Sequence, residues 1–304
     1  MKLGAIDQGT TSSRALMLSD GKAELSATFT HKQSYPTSGW VEHDPRELLK
    51  NIQACSEALE SADALGLDNQ GESCLAWDRK TGQPISPVIV WQDNRTANVT
   101  NKLKKHGHEE RVKALSGLPL DPYFSASKLA WILENVPEAK ELLSEKRLAL
   151  GTTDAFFLQN LVGRFVTDVT TASRTSLMNL QTMEWDDELC NLFGVPLETL
   201  PEILATQDEF GELKVKGRKI PLRASVVDQQ ASLYGHGCRN VGDAKITLGT
   251  GAFALVINGD SPEMNDPHGL LPTVAWRLGS EAPIYALDGG VYNAASAVNW
   301  ARGL

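Results

Sequence analysis

The sequence predicts an α/β protein, in which helices cover both faces of a sheet, followed by the opening of a second, related unit. Short apolar runs alternate with helical periods along the first 236 residues, and turn residues separate them. The same order of elements returns near residue 241, which indicates an internal duplication of supersecondary structure.

The composition favours a small ligand over a macromolecular surface. With 304 residues, 41% hydrophobic and 22% charged, the chain can bury one large core or two smaller ones. Its 29 basic and 38 acidic residues give a net charge of −9, which disfavours nucleic acid and anionic membranes. The four cysteines are widely separated and no apolar run is long enough for a signal peptide or a membrane span. We therefore expect reduced, buried thiols and a cytoplasmic protein.

The first 61 residues predict a hairpin-rich start and one long helix. Apolar runs at 3–6, 13–18 and 24–30, separated by turn residues, predict an antiparallel three-stranded meander. A helical period follows from 44 to 61. Its start is well marked, because an N-cap, a proline at the first helical position and a capping box are supplied by Asp44, Pro45 and Glu47.

Strands and helices then alternate, as expected for a sheet with helices on both faces. The predicted strands are residues 64–68, 87–91, 148–152 and 224–228. The predicted helices are residues 94–105, 125–134, 138–145, 154–162 and 229–236.

The second unit repeats the opening pattern of strand, Gly/Thr turn, strand, strand and helix. Its predicted elements are strands 244–248, 253–257 and 284–287, the turn Gly249-Thr250-Gly251 and a helix from about Tyr292. We predict a first domain over residues 1–238 and the opening of a second over residues 239–304.

The first turn could hold phosphate groups. It offers hydroxyls, backbone N–H groups, a carboxylate and a guanidinium within the segment Asp7-Gln8-Gly9-Thr10-Thr11-Ser12-Ser13-Arg14. Such a turn can cradle phosphate, with Asp7 placed for a hydrated magnesium ion. A plain hairpin turn explains the same residue types. The second Gly/Thr turn favours the phosphate interpretation, because two equivalent turns can face each other across one cleft.

Asp228 is the candidate for acid–base chemistry. It ends an apolar strand and precedes a helix, so it lies at the rim of a sheet, where α/β proteins bind ligands. The residue could act as a helix N-cap, as a general base for a substrate hydroxyl, or as both. Neither a P-loop nor a G-x-G-x-x-G motif is present.

Five motifs together resemble the FGGY carbohydrate kinases, and within that family the members that phosphorylate glycerol. The motifs are residues 7–14, Gly39-Trp40-Val41-Glu42-His43-Asp44-Pro45, Asp121-Pro122-Tyr123-Phe124-Ser125, Ala172-Ser173-Arg174-Thr175, and Asp228-Gln229-Gln230 with the second turn. They are spread over essentially the whole chain.

The resemblance implies an actin-like ATPase (ribonuclease H-like) fold, complete in its first copy and begun in its second. It implies that ATP, with Mg²⁺, phosphorylates a terminal hydroxyl of glycerol or a related polyol or sugar. Asp228 would be the base, and Asp7 and Asp228 would serve the metal. The phosphates would meet Thr10, Thr11, Ser12, Arg14, Thr250 and Gly251. The polyol would meet Glu72, Trp91, Tyr123, Asp228, Gln229 and Phe253.

Two departures from the family pattern affect these expectations. The family arginine that holds a glycerol hydroxyl is replaced by Gly71, which could admit a longer polyol. The family's chain also continues beyond Leu304 into the adenine pocket, so we expect little or no kinase activity from these 304 residues alone.

Two other interpretations stay open. One is a non-catalytic polyol-binding or regulatory module, and the other is an inactive gene fragment. A homo-oligomer is also possible, whereas nucleic acid and membrane partners are not expected.

Overall fold

The computed structural model describes residues 1–248, 251–264, 266, 268–291 and 294–303. In this part of the chain the strands are β1 (Lys2–Gln8), β2 (Ser12–Ser19), β3 (Lys22–Thr30), β4 (Glu42–His43), β5 (Ala64–Asn69), β6 (Cys74–Asp78), β7 (Val88–Ile89), β8 (Leu148–Thr152), β9 (Val166–Asp168), β10 (Met178–Asn179), β11 (Glu184–Trp185), β12 (Glu202–Leu204), β13 (Gln207–Val215), β14 (Arg218–Val227), β15 (Ala244–Leu248), β16 (Ala252–Gly259), β17 (Leu271–Trp276) and β18 (Ile284–Val291). The helices are α1 (Pro45–Ala58), α2 (Ala97–Lys105), α3 (Glu109–Ser116), α4 (Ser125–Asn135), α5 (Pro137–Ser144), α6 (Thr153–Val162), α7 (Val169–Ala172), α8 (Asp187–Phe193), α9 (Asp228–Gly235) and α10 (Ala295–Arg302), with a 3₁₀ turn at Leu197–Thr199.

The largest sheet has the order β13-β14-β5-β1-β2-β3 within the described residues. Strands β1, β2 and β3 form the predicted antiparallel meander. Strands β1, β5 and β14 run parallel to one another, so their carboxyl ends meet at one edge of the sheet. This edge becomes the floor of the candidate site.

Helix α1 begins where the sequence predicts, but its capping differs in one detail. The Asp44 carboxylate accepts a hydrogen bond from the Arg46 N–H at 2.9 Å, and Pro45 occupies the first turn. The Glu47 carboxylate accepts from the backbone N–H of Lys32 at 3.2 Å, which ties the helix to the end of β3. Glu47 thus joins neighbouring elements besides lying in the first turn.

A second sheet, ordered β4-β7-β6-β8, packs helices α4, α5 and α8 against one apolar cluster. The predicted strand 148–152 matches β8, whereas the predicted strand 87–91 shortens to β7. Strand β6 was not predicted. All five of its residues are buried, so it lacks the alternation that identifies a half-exposed strand.

The third sheet has the order β15-β16-β18-β17 in the described residues. Strands β15, β16 and β18 form successive antiparallel pairs, as β1, β2 and β3 do. Strand β17 lies between the predicted strands 253–257 and 284–287 and was not predicted; it adds to the far edge of β18. Helix α10 follows β18, and Tyr292, where the helix was expected to begin, lies outside the described residues. The domain boundary at residue 238 stays a prediction.

Separate apolar clusters support the sheets. The cluster beneath the largest sheet joins its strands to α1 and α6, with Ile52, Cys55, Trp77 and Phe156 fully buried. All four cysteines are buried free thiols, in agreement with the sequence. No helix of the described residues is long and apolar enough to cross a membrane.

A buried polar network holds the end of β14 in place. The Val227 N–H donates to the Thr170 hydroxyl at 3.0 Å, and that hydroxyl donates to Asp168 at 2.7 Å. Asp168 also accepts from the Thr206 hydroxyl at 3.2 Å. Burial and the nearby Asp154 charge raise the pKa of Asp168 to about 6. The network lies one residue from Asp228.

Replacement of Thr170 by valine removes the shared hydroxyl and leaves the Val227 N–H unsatisfied in a buried site. We expect the free energy of unfolding, measured by urea denaturation, to fall by about 1–3 kcal/mol. The exposed Thr28→Val on β3 is the matched control, with a change within about 0.5 kcal/mol. Equal effects of the two substitutions would contradict a role for this network.

Candidate active site

A cavity of about 380 Å³ lies between the carboxyl edge of the largest sheet and the third sheet. Its walls come from the β1–β2 turn, from the segments after β5, β7 and β14, and from strands β15, β16 and β18. A cavity of this size, with aromatic rings and many polar side chains in its lining, suits a small polar ligand.

Most of the predicted site residues meet at this cavity. The lining includes Thr10, Thr11, Glu72, Trp91, Tyr123, Asp228, Gln229, Gly251 and Phe253. Asp7, Ser12 and Arg14 are not among the lining residues: Ser12 is buried at the start of β2, and the half-exposed Arg14 guanidinium lies 3.7 Å from the Asp7 carboxylate. Thr250 lies outside the described residues.

Three aromatic rings form one wall. Trp91 meets Tyr123 and Phe253 edge to face, with ring centroids 5.8 Å and 5.9 Å apart. The Trp91 indole N–H donates to the Thr10 hydroxyl at 3.2 Å, so the wall is hydrogen-bonded to the first turn. A Cβ atom at Gly251 would come within 2.7 Å of the Phe253 ring, which explains why glycine is needed there.

Three carboxylates converge at the edge of the largest sheet. The parallel register pairs Asp7 with Asp68, and Asp68 with Val226, two residues before Asp228. Burial and the Asp7 and Asp228 charges raise the pKa of Asp68 well above its usual value. Its Oδ1 atom is buried without a hydrogen-bond partner among the described residues.

Asp228 has the electrostatics of a general base. It is the first residue of α9, and it is partly buried. Burial, followed by the negative charge of Glu72, raises the pKa of Asp228 to about 7. A carboxylate with this pKa exchanges protons near neutral pH, which acid–base catalysis requires. The N-cap of α9 is Val227 and Asp228 is its first helical residue, so the N-cap interpretation is wrong, and the role as base stays a prediction.

Glu72 belongs to a buried ion-paired group. Its carboxylate accepts from Arg174 Nε at 2.6 Å, and Arg174 Nη2 donates to the Asp288 carboxylate on β18 at 2.8 Å. Burial raises the pKa of Glu72, and the Arg174 charge opposes this rise. Glu72 also adopts a left-handed backbone conformation with φ of 58°, which is uncommon for a residue with a side chain.

Lys245 was missed by the sequence reasoning. Its buried ammonium donates to the Gln229 side-chain oxygen at 2.6 Å and to the Thr247 hydroxyl at 2.6 Å. Burial lowers the pKa of Lys245, and the charges of Asp228 and Asp288 oppose this. A lysine inside the otherwise apolar run 244–248 was the available signal.

Asp68 and the role of Arg174 were also missed. Asp68 ended a predicted strand next to the one that carries Asp7, so its position could have been inferred from strand order. Arg174 was part of a recognised motif, but its partners are 102 and 114 residues away in the sequence, where no local pattern points to them.

Carboxylates of the kind that bind magnesium in proteins lie at this edge of the sheet. Among the described residues, no cluster of three or more His, Cys, Asp or Glu side chains could hold a metal ion by itself. Mg²⁺ usually keeps several waters and binds one or two carboxylates together with phosphate oxygens. The crowded carboxylates and the unpartnered Asp68 Oδ1 suit such a hydrated ion.

Comparisons with known proteins agree on one family. Residues 2–235 match the model of the N-terminal domain of the FGGY family of carbohydrate kinases. The chain is 43% identical to a glycerol kinase from Burkholderia multivorans and 42% identical to one from Paraburkholderia xenovorans, each over 311 residues. Each alignment covers 98% of this chain and 62% of the relative.

Solved structures show the same fold. The crystal structure of Plasmodium falciparum glycerol kinase with ADP superimposes with a TM-score of 0.91 at 30% identity, covering 98% of this chain and 62% of that one. The gluconate kinase from Lactobacillus acidophilus gives a TM-score of 0.85 at 24% identity, covering 99% and 62% of the two chains. The actin-like α/β fold predicted from the sequence is confirmed. The chain belongs to the FGGY family of carbohydrate kinases.

Proposed function

We propose that this chain provides the acceptor site and the catalytic base of a kinase that transfers the terminal phosphoryl group of ATP to a hydroxyl of glycerol or a related polyol. The observation that carries the proposal is that Asp228, the aromatic wall and the β1–β2 turn meet in one cavity. The chain spans 62% of the length of the glycerol kinases it matches, so the activity of a whole protein is part of the proposal.

In this proposal the polyol lies with its carbon edge against Trp91 and Phe253. Its hydroxyls bind Glu72 and the groups that Tyr123, Asp228 and Gln229 present to the cavity. Apolar faces for C–H groups, combined with fixed polar groups for hydroxyls, give both affinity and orientation. Lys245 holds the Gln229 amide and so positions one of these polar groups.

The phosphates of ATP lie along the first turn, at Thr10 and Thr11, with Ser12 and Arg14 behind them. Gly251, which lines the cavity, contributes from the other side, and the family resemblance assigns Thr250 to the same phosphates. Asp7 and Asp228 would hold a hydrated Mg²⁺, with Asp68 as a third carboxylate beside Asp7. A bound magnesium ion would neutralise phosphate charge; the residues themselves orient the phosphates and keep the carboxylate edge in place.

Asp228 accepts the proton of the acceptor hydroxyl as that oxygen attacks the terminal phosphorus. A new oxygen–phosphorus bond forms, the bond from that phosphorus to the bridging oxygen breaks, and ADP leaves. General-base assistance of this kind contributes about 10²–10⁴-fold to a rate. The buried, unpaired thiols further favour a reducing cytoplasm as the compartment.

Replacement of Trp91 by alanine removes the centre of the aromatic wall. We expect calorimetric titration of the chain to show saturable glycerol binding, and the variant to bind about ten-fold or more weakly, because the apolar face and the bond to Thr10 are lost. The exposed Trp300→Ala is the matched control and should bind normally. Absence of glycerol binding, or equal affinity of Trp91→Ala, would contradict the proposed acceptor site.

Replacement of Asp228 by asparagine removes the base with little change in size. In a whole protein that contains this chain, we expect glycerol-dependent ADP release, measured in a coupled assay with ATP and magnesium, to fall about 10²–10⁴-fold from the rate of the same protein without the substitution. A variant that releases ADP at the unsubstituted rate would exclude Asp228 as the base.

The pKa of Asp228 predicts a pH dependence of binding that needs no turnover. Below about pH 7 the carboxyl group carries a proton, and above it the ionised group accepts a stronger hydrogen bond from the polyol. We therefore expect glycerol affinity to rise roughly five-fold between pH 5.5 and pH 8.5. In Asp228→Asn this rise should vanish; its persistence would assign the titration to another group.

A further inference from the structure

Several buried polar atoms beside the acceptor site have no hydrogen-bond partner in the described part of the chain. They are Arg174 Nη1, Asp288 Oδ1, Gln230 Oε1, and both Gln70 Oε1 and Gln70 Nε2. Each of these four residues is at most 8% exposed, and each lines the cavity. Buried polar atoms without partners are costly, so a group that enters the cavity and satisfies them gains affinity.

These atoms continue the acceptor site rather than forming a separate one. The charge of Glu72 acts directly on Asp228, and the Glu72 carboxylate binds Arg174. Arg174 in turn binds Asp288. Glu72, Arg174 and Asp288 therefore form a hydrogen-bonded row that reaches β18, and this row lines the same cavity as the base.

Gly71 leaves this row accessible. A Cβ atom at position 71 would lie 3.0 Å from a methyl group of Val227 and 4.0 Å from Arg174 Cγ. Any larger side chain would crowd Val227 and compete with the Arg174 stem for space. The charged donor beside Glu72 is therefore Arg174, which approaches from the segment after α7.

The charged groups around the cavity determine whether a neutral or an anionic acceptor is favoured. Five carboxylates, those of Glu72, Asp228, Asp288, Asp7 and Asp68, lie at or beside the cavity, together with three buried cations, Arg174, Lys245 and Lys128, among the described residues. This balance disfavours a carboxylate or a phosphate on the acceptor. A hydroxyl group both donates and accepts, so it can satisfy Asp288 Oδ1 and Arg174 Nη1 alike.

We propose that the acceptor site extends into a second hydroxyl subsite, formed by Arg174, Asp288 and Gln70, and that the preferred acceptor is a neutral polyol or sugar of four or more carbons. The inference rests on the proposed function and specifies its substrate class. Three carbons are held at the aromatic wall, and the additional hydroxyls bind the otherwise unpartnered atoms.

The test is a calorimetric series with the 304-residue chain. Glycerol, erythritol, xylitol and sorbitol are titrated under identical conditions, together with gluconate as an anionic ligand of sorbitol's length. We expect at least one longer polyol to bind about ten-fold or more tightly than glycerol, and gluconate to bind more weakly than sorbitol. This series needs no substitution, so it decides the inference even where a variant fails to fold.

The variant Asp288→Asn then tests the subsite itself. It should reduce the affinity ratio between the preferred longer polyol and glycerol, while the exposed Asp260→Asn, the matched control, preserves that ratio.

Two results overturn the subsite and leave the proposed function intact: glycerol binding as tightly as every longer polyol, or a ratio that Asp288→Asn does not change. Gluconate binding more tightly than sorbitol would overturn the neutral class. Binding of none of these ligands would overturn both the inference and the proposed function.

Discussion

The ion-paired group of Glu72, Arg174 and Asp288 is the contact on which the site depends. It joins the segment after β5, the segment after α7 and strand β18, so it links the largest sheet to the third sheet across the cavity. Buried charges of this kind are expensive to desolvate, and removal of one partner leaves an uncompensated charge. The same ion-paired group therefore fixes the geometry of the cavity and contributes to the charge environment of Asp228.

The site concentrates features that a purely structural sheet edge would avoid. Glu72 has a left-handed backbone, Asp7 and Asp68 lie side by side, and Lys245 is buried beside Gln229. Conformations and charges of this kind cost free energy, and they persist only where the surrounding structure enforces them. Here the enforcement comes from parallel strands in fixed register and from the network around Asp168, which holds the end of β14.

Local signals in the sequence were sufficient for much of the fold. The opening meander and α1 carry alternating apolar positions, turn residues and an N-cap, all of which act within a few residues. Strand β6 is buried on both faces, and β17 follows a polar segment, so neither shows a strand period of its own. The residues of the functional site also fall into those that local sequence signals identify and those that they do not. Residues in turns and at strand ends could be identified, whereas Arg174 and Lys245 acquire their partners only through tertiary contacts.

Helix α9 couples the position of Asp228 to the position of the third sheet. Its first residue is Asp228, and further along the same helix Leu233 packs with Leu255 and Ile257 of β16. Gln230, one turn before Leu233, donates a hydrogen bond to the backbone of Val274 on β17. A short helix is stiff compared with a loop, so a displacement of the third sheet would be transmitted along it to the carboxylate at its beginning. The backbone of Asp228 is therefore fixed by the largest sheet through β14, whereas the orientation of α9, and with it the position of the Asp228 carboxylate, depends on the third sheet.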